Sequence, residues 1–119
     1  MILVDTSVWA AHFRVGHRDL STLLEQQQVL GQPFVIGELA CGRLPHRTRT
    51  LADLAQLPAA PVAEHDEVLA LIERHRLMGT RLGWVDAHLL ASSFLARAPL
   101  WTLDRTLGAQ ARRLGVSAD

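Results

Sequence analysis

Four acidic residues, Asp5, Glu38, Asp86 and Asp104, stand where packing alone would not choose a carboxylate. Asp5 follows the apolar run Ile2-Leu3-Val4, and Asp104 follows the run Leu100 to Leu103, so each falls at the end of a predicted strand. Glu38 and Asp86 each fall in the first turn of a predicted apolar helix. In a parallel sheet the carboxyl ends of the strands and the starts of the following helices lie on one side, so the four groups are expected to share a crevice. Like charges held that close repel strongly unless a cation intervenes. Oxygen donors without a neighbouring His or Cys suit Mg²⁺ or Mn²⁺ better than Zn²⁺. Such an ion polarises a phosphodiester, lowers the pKa of an attacking water and stabilises the leaving oxygen. Taken singly, each acid has an ordinary explanation at a helix N-terminus, with Asp104 as an N-cap. The alternative is therefore a non-catalytic α/β interaction module whose carboxylates are helix caps. One form of it, an acidic receiver fold, is disfavoured, because no second acid adjoins Asp5 and the chain contains no lysine.

The elements that must position these groups alternate. Ile2 to Val4 reads as a strand buried on both faces, with Thr6 and Ser7 as helix-starting residues. Val8 to Phe13 is a short helix stopped by Gly16, and Asp19 to Gln28 is a second, with Leu20, Leu23 and Leu24 on one stripe. Gln32 to Ile36 is read as a short, weakly marked strand, Gly37 to Arg43 as a helix carrying Glu38, and Thr50 to Leu57 as another helix. Val62-Ala63 is a candidate edge strand between two long helices' approaches. Those helices span Glu64 to Met78 and the almost wholly apolar Trp84 to Arg97. After Pro99 come the strand Leu100 to Leu103, a helix from Thr106 to Leu114 with Gly115 beyond it, and a last short strand at Val116-Ser117. No hairpin dipeptide joins any two strands, which predicts a parallel sheet.

The chain of 119 residues is one domain by length, with 49% apolar and 20% charged residues. A formal net charge of zero excludes nucleic-acid binding by bulk electrostatics and leaves room for a local basic patch. Every basic residue apart from histidine is Arg, able to grip an anion through a fork of donors. A single cysteine, Cys41, excludes an internal disulfide and fits a reducing compartment. No run is long enough to span a membrane, and the first apolar run is too short for a signal peptide; a cytoplasmic location is expected.

The segments Leu3-Val4-Asp5-Thr6-Ser7, Val35-Ile36-Gly37-Glu38-Leu39, Asp86-Ala87-His88-Leu89-Leu90-Ala91 and Trp101-Thr102-Leu103-Asp104, in that order and spacing, resemble the PIN-domain ribonucleases. The short single-domain form is similar to the VapC toxins of toxin–antitoxin pairs. Residue His88 stands where that family more often has an apolar residue. The resemblance covers residues 1–119 and implies a three-layer α/β fold with a central parallel sheet of four to five strands flanked by helices. It implies a Mg²⁺- or Mn²⁺-dependent endoribonuclease. Carried over by position, it implies Asp5, Glu38, Asp86 and Asp104 as the catalytic acids, Asp5, Asp86 and Asp104 as metal ligands, and Thr6, Ser7 and Thr102 as supporting hydroxyls. It further implies an RNA substrate, a cognate antitoxin that occludes the site, and a homodimer or toxin–antitoxin hetero-oligomer. The leucine-rich helices between Leu20 and Leu57 are the expected seat of that partner, which would project a basic side chain towards Asp5, Glu38 and Asp86.

Other residues have weaker claims. Arg43, Arg47 and Arg81 are candidate contacts to RNA phosphates; for Arg43 and Arg47 a solvated helix face explains the basic run equally well. His12 and His88 titrate near neutrality but are read as partly buried structural residues. Trp9, Trp84 and Trp101 are able to stack on bases; Trp84 and Trp101 border apolar runs and are read as core. Cys41 is read as a small buried hydrophobe.

Overall fold

Strand β1, Ile2–Val4, is the centre of the sheet, because Leu3 and Val4 are wholly buried and have a parallel neighbour on each side. The computed structural model describes residues 1–119. Its elements run β1, α1 (Thr6–Val15), α2 (Arg18–Glu25), β2 (Val29–Leu30), α3 (Pro33–Cys41), α4 (Arg47–Ala55), α5 (His65–His75), α6 (Trp84–Ala96), β3 (Leu100–Trp101) and α7 (Arg105–Arg113). The strand order is β2-β1-β3, with Ile2 opposite Val29 and Leu3 opposite both Leu30 and Leu100. One isolated bridge extends each edge, Gly31 to Ala59 beyond β2 and Leu100 to Ser117 beyond β3. The sheet therefore has three strands and two single-bridge margins, instead of four to five strands. Val116-Ser117 contributes only that bridge, and the edge expected at Val62-Ala63 forms at Ala59.

The chain leaves β1 through α1 and α2 to pair on one side, and leaves β3 through α7 towards Ser117 on the other. Right-handed crossovers in opposite directions place those helices on opposite faces of the sheet. The direction changes between β1 and β3, so the crevice at their carboxyl ends opens between Asp5 and Asp104.

Residues 32–36 are not a strand. Gln32 is the N-cap of α3, its side-chain oxygen accepting from the Phe34 and Val35 N–H groups, and Pro33 opens the helix. Proline at the first helical position fixes φ and loses no hydrogen bond there. That start overrides the β-branched character of Val35 and Ile36. It also places Glu38 sixth in α3 instead of in its first turn.

One main core unites β1, β2, β3 and the inner faces of the helices, and a small one of Ala63, Val68, Ala87 and Ala91 joins α5 to α6. Helix α6 is buried continuously from Ala87 to Ser93. Its small residues admit close neighbours, and its serines find acceptors: Ser92 donates to the Pro61 carbonyl at 2.7 Å, and Ser93 to the Ala98 carbonyl. No helix is long and apolar enough to cross a membrane.

Candidate active site

Asp5 is positioned twice, by the strand behind it and by the helix ahead. Its N–H continues the ladder to the Trp101 carbonyl at 2.9 Å, and its side chain caps α1. Only 6% of the residue is exposed. A buried carboxylate needs donors, and Asp5 Oδ2 receives three: Ser7 Oγ at 2.8 Å, Thr102 Oγ1 at 2.7 Å and the Ser7 N–H at 3.4 Å. Asp5 Oδ1 receives none within the chain. Ser7 Oγ in turn accepts from the Leu103 N–H at 2.9 Å, and Thr102 Oγ1 from the Asp104 N–H at 3.0 Å. Ser7 Oγ and Thr102 Oγ1 lie 3.2 Å apart. Each hydroxyl has one proton, already directed at Asp5, so their approach is a shared attachment to Asp5 and not a bond between them. This small network ties the end of β1 to the end of β3.

The other three acids are oriented in the same economical way. Glu38 Oε1 accepts from Thr6 Oγ1 at 2.7 Å, which joins α3 to the start of α1. Asp86, in the first turn of α6, accepts at Oδ2 from the Gly83 N–H at 3.1 Å. Asp104 caps α7, with Oδ1 accepting from the Leu107 N–H at 2.9 Å. Each carboxylate uses one oxygen for its own placement and leaves the other without a donor from the chain.

These groups sense one another. Burial raises the Asp86 carboxyl above the usual aspartate range, the Gly83 N–H opposes this, and the charges of Asp5, Asp104 and Glu38 raise it further. Nothing basic relieves that repulsion, because the only ion pairs in the protein are Arg49–Asp53 and Arg112–Asp119, both at the surface. The donor set is all oxygen, anionic and open to solvent through exposed Glu38 and Asp104. It fits a hard divalent cation. No three of these side chains are close enough to hold one ion directly between them. A cation here would be held by one or two carboxylates and by water bridging to the rest, the habit of Mg²⁺.

Of the three candidate arginines, Arg43 and Arg81 are exposed and have no partner side chain; Arg43 lines a cavity of about 390 Å³ together with Thr6 and Glu38. Arg47 is otherwise engaged. Its guanidinium donates to the carbonyls of Ala40 at 2.6 Å and Gly42 at 3.1 Å, closing the C-terminus of α3. It is a helix cap, not a free phosphate ligand. Cys41 is exposed, contrary to its reading as buried. Trp84 is 40% exposed, whereas Trp9 is buried and Trp101 half-buried.

His88 is buried between the rings of Phe34 and Trp84, and burial followed by the charge of His65 lowers its pKa. It is a neutral aromatic spacer. His12 packs against Trp9 and Phe13, and its Nδ1 accepts from the His17 N–H at 3.3 Å. Sequence reasoning missed Gln32, fully buried, whose Nε2 reaches Ser92 Oγ at 3.3 Å and anchors the helix that carries Glu38. Its signal was a capping side chain directly before Pro33.

A family model described as PIN domain matches residues 2–113. Ribonuclease VapC32 of Mycobacterium tuberculosis is 47% identical to this chain over 118 residues, covering 98% of this chain and 95% of the relative, with the same figures in strains CDC 1551 / Oshkosh and ATCC 25618 / H37Rv. Among solved structures, PAE2754 from Pyrobaculum aerophilum matches with a TM-score of 0.61 over 96% of this chain and 88% of that one. At 19% identity it is a likeness of fold.

Proposed function

Since the chain belongs to the PIN-domain family, we propose that it is an endoribonuclease toxin of the VapC type, dependent on Mg²⁺ or Mn²⁺ and neutralised by a cognate antitoxin. The observation that supports this reading is that the charges of Asp5, Glu38 and Asp104 bear on Asp86, with no basic partner among the four and a free oxygen on each. The 47% identity to a protein named a ribonuclease supports the substrate class.

Asp5, Asp86 and Asp104 would hold the cation, one or two of them directly and the rest through bridging water; bound there, it would supply charge neutralisation at the phosphate and a more acidic water. Ser7 and Thr102 hold Asp5 by Oδ2 and leave Oδ1 without a donor from the chain. Thr6 does the same for Glu38. Asp86 keeps Oδ1 without a donor from the chain, so that oxygen is available to the cation or to its water. Arg43 and Arg81 grip flanking phosphates by forked hydrogen bonds.

The partner reading rests on three adjoining cavities. One of about 220 Å³ is lined by Trp9, Phe13, Leu24, Leu54 and Leu57 among others; it shares Leu24, Asp53 and Leu57 with a second and Phe13 with a third, which reaches Glu38. An amphipathic antitoxin segment laid along this groove over α1, α2 and α4 would bring a basic side chain to the acids, replacing the cation as well as blocking RNA. Assembly as a homodimer or as a toxin–antitoxin hetero-oligomer belongs to the same reading.

A second reading also has an observation behind it. Asp5 and Asp104 do cap helices, and Asp86 accepts from the N-cap N–H of α6, as a non-catalytic interaction module would require. Capping, however, does not explain Glu38 in mid-helix, nor why the charges of Asp5, Glu38 and Asp104 all bear on Asp86. Asp5→Asn separates the two, because Asn caps as well as Asp but removes the charge. We expect RNA cleavage to fall by more than about 100-fold with an unchanged circular-dichroism spectrum. A wild-type protein that cuts no RNA returns the chain to the capping reading, and equal cleavage by both proteins removes Asp5 from the catalytic acids. Undiminished cleavage in excess chelator overturns the metal requirement.

A further inference from the structure

We propose that an apolar cavity beside Asp86, walled by Trp84, receives one unpaired base of the RNA held at the carboxylates. This inference rests on the ribonuclease reading and adds the side chain that makes the enzyme select single strands. The cavity has a volume of about 240 Å³ and lies between the end of α5 and the start of α6. Its lining is Ile72, Leu77, Met78, Leu82, Trp84 and Ala87, with Gly79 and Gly83. It contains no charged or hydrogen-bonding side chain other than the indole N–H.

Two of those side chains are exposed where burial would be expected: Trp84 at 40% and Met78 at 52%. Single exposed apolar residues are common, but two that share one concavity form a patch with a use. The indole is also braced. The His65 ring lies 5.0 Å and the His88 ring 4.9 Å from it, centre to centre, the latter edge-on. A ring held this way loses little freedom on stacking.

The occupant follows from what surrounds the cavity. Gly83, part of its wall, is the residue whose N–H holds Asp86 Oδ2. Trp84 and Asp86 are two apart at the start of α6, about 5.4 Å between Cα atoms by helix geometry. Gly83 thus belongs both to the cavity wall and to the hydrogen bond that orients Asp86, so the cavity adjoins the acidic crevice. Arg76 and Arg81, which bracket the lining segment Leu77 to Gly79 in sequence, are exposed and form no ion pair. Phosphates on unpaired arginines, a base against an aromatic face and a scissile phosphate at the carboxylates describe one nucleotide step of single-stranded RNA. A lining without polar side chains reads no base edge, so the stacking tolerates sequence and discriminates against paired bases.

The test measures binding, so it does not depend on turnover. A fluorescein-labelled single-stranded RNA 10-mer is titrated with protein in chelator at low salt and followed by anisotropy. Trp84→Ala should weaken binding by about 5- to 150-fold, the range for losing one base–aromatic stack, and Trp84→Phe should recover most of it. A parallel arm needs only the wild-type chain: one abasic position is moved along the 10-mer. One position should reproduce the loss, and in Trp84→Ala that position should cease to matter. A flat abasic scan in a wild-type protein that binds and cuts RNA overturns this proposal and leaves the ribonuclease reading intact. A wild-type protein that neither binds nor cuts overturns both. If Trp84→Ala changes the sedimentation coefficient and not the RNA affinity, the cavity covers a second copy of the chain and the proposal fails. If Trp84→Ala does not fold, the wild-type scan decides alone.

Discussion

Thr102→Val removes one hydroxyl at almost constant shape, and the structure states what is lost. Thr102 Oγ1 donates to the Asp5 carboxylate at 2.7 Å and accepts from the Asp104 N–H at 3.0 Å. The first is a hydrogen bond to a charged group, worth about 1.5–3 kcal/mol. The second is at an exposed N–H, where water takes over, so it adds little. We expect a loss of about 1.5–3 kcal/mol, which for a domain of this length is a fall in Tm of roughly 5–15 °C. Ser7→Ala removes the other hydroxyl donor to the same oxygen. The double variant is the decisive one. With both hydroxyls gone, Asp5 Oδ2 keeps only the Ser7 N–H at 3.4 Å, and the residue is 6% exposed. A buried carboxylate left that poorly satisfied should make the double loss exceed the sum of the single losses by at least about 0.5 kcal/mol. Equilibrium urea unfolding followed by circular dichroism, in chelator at neutral pH, measures all four proteins. A double loss smaller than the sum refutes the proton count, because it means that Ser7 and Thr102 bond to each other at 3.2 Å and that each single variant had already lost that bond.

Mg²⁺ or Mn²⁺ should raise the Tm, since a ligand present at 100 times its Kd stabilises by about 2.7 kcal/mol. The rise should shrink in Asp86→Asn and Asp104→Asn; equal responses in all three proteins would put the ion elsewhere. The pH dependence has a definite sign. The folded-state pKa of Asp86 is raised, mainly by burial and then by its acidic neighbours, so its protonated form favours folding. That contribution is complete below the ordinary aspartate value of 3.8 and is lost as pH rises through the raised value. In chelator, the stability of the wild type relative to Asp86→Asn should therefore decline on going from about pH 4 to about pH 7; a constant or rising difference contradicts the burial argument. Arg47→Ala should cost about 0.5–1.5 kcal/mol by uncapping α3 and leave the salt dependence of RNA binding unchanged, whereas Arg43→Ala should flatten that dependence. A flatter slope in Arg47→Ala would restore it as a phosphate ligand.

Much of the site was legible in the chain itself. Ile2, Leu3 and Val4 predicted the buried central strand, and Thr6 and Ser7 its turn into a helix, because those choices are local. The largely apolar character of residues 84–97 announced a helix inside the core, and Asp86 does lie in its first turn. The four acids could be named from the sequence because two follow apolar strands and two stand near predicted helix starts; the fold adds that the charges of the other three bear on Asp86. What tertiary structure decided involves partners remote in sequence. The sheet margins hang on single bridges between residues 28 and 17 positions apart, Gly31–Ala59 and Leu100–Ser117, which no local periodicity announces. Val35 and Ile36 favour a strand locally, but Pro33, together with a buried Gln32 that reaches Ser92 sixty residues away, makes the segment helical and sends Glu38 to Thr6. Arg47 looked free until the fold brought the end of α3 within its reach, and Trp84 looked buried but is 40% exposed, with the His65 and His88 rings beside it. Residue type sets which groups can do chemistry; only the packed chain sets which of them are already occupied, because occupation depends on neighbours that meet after the sheet has formed.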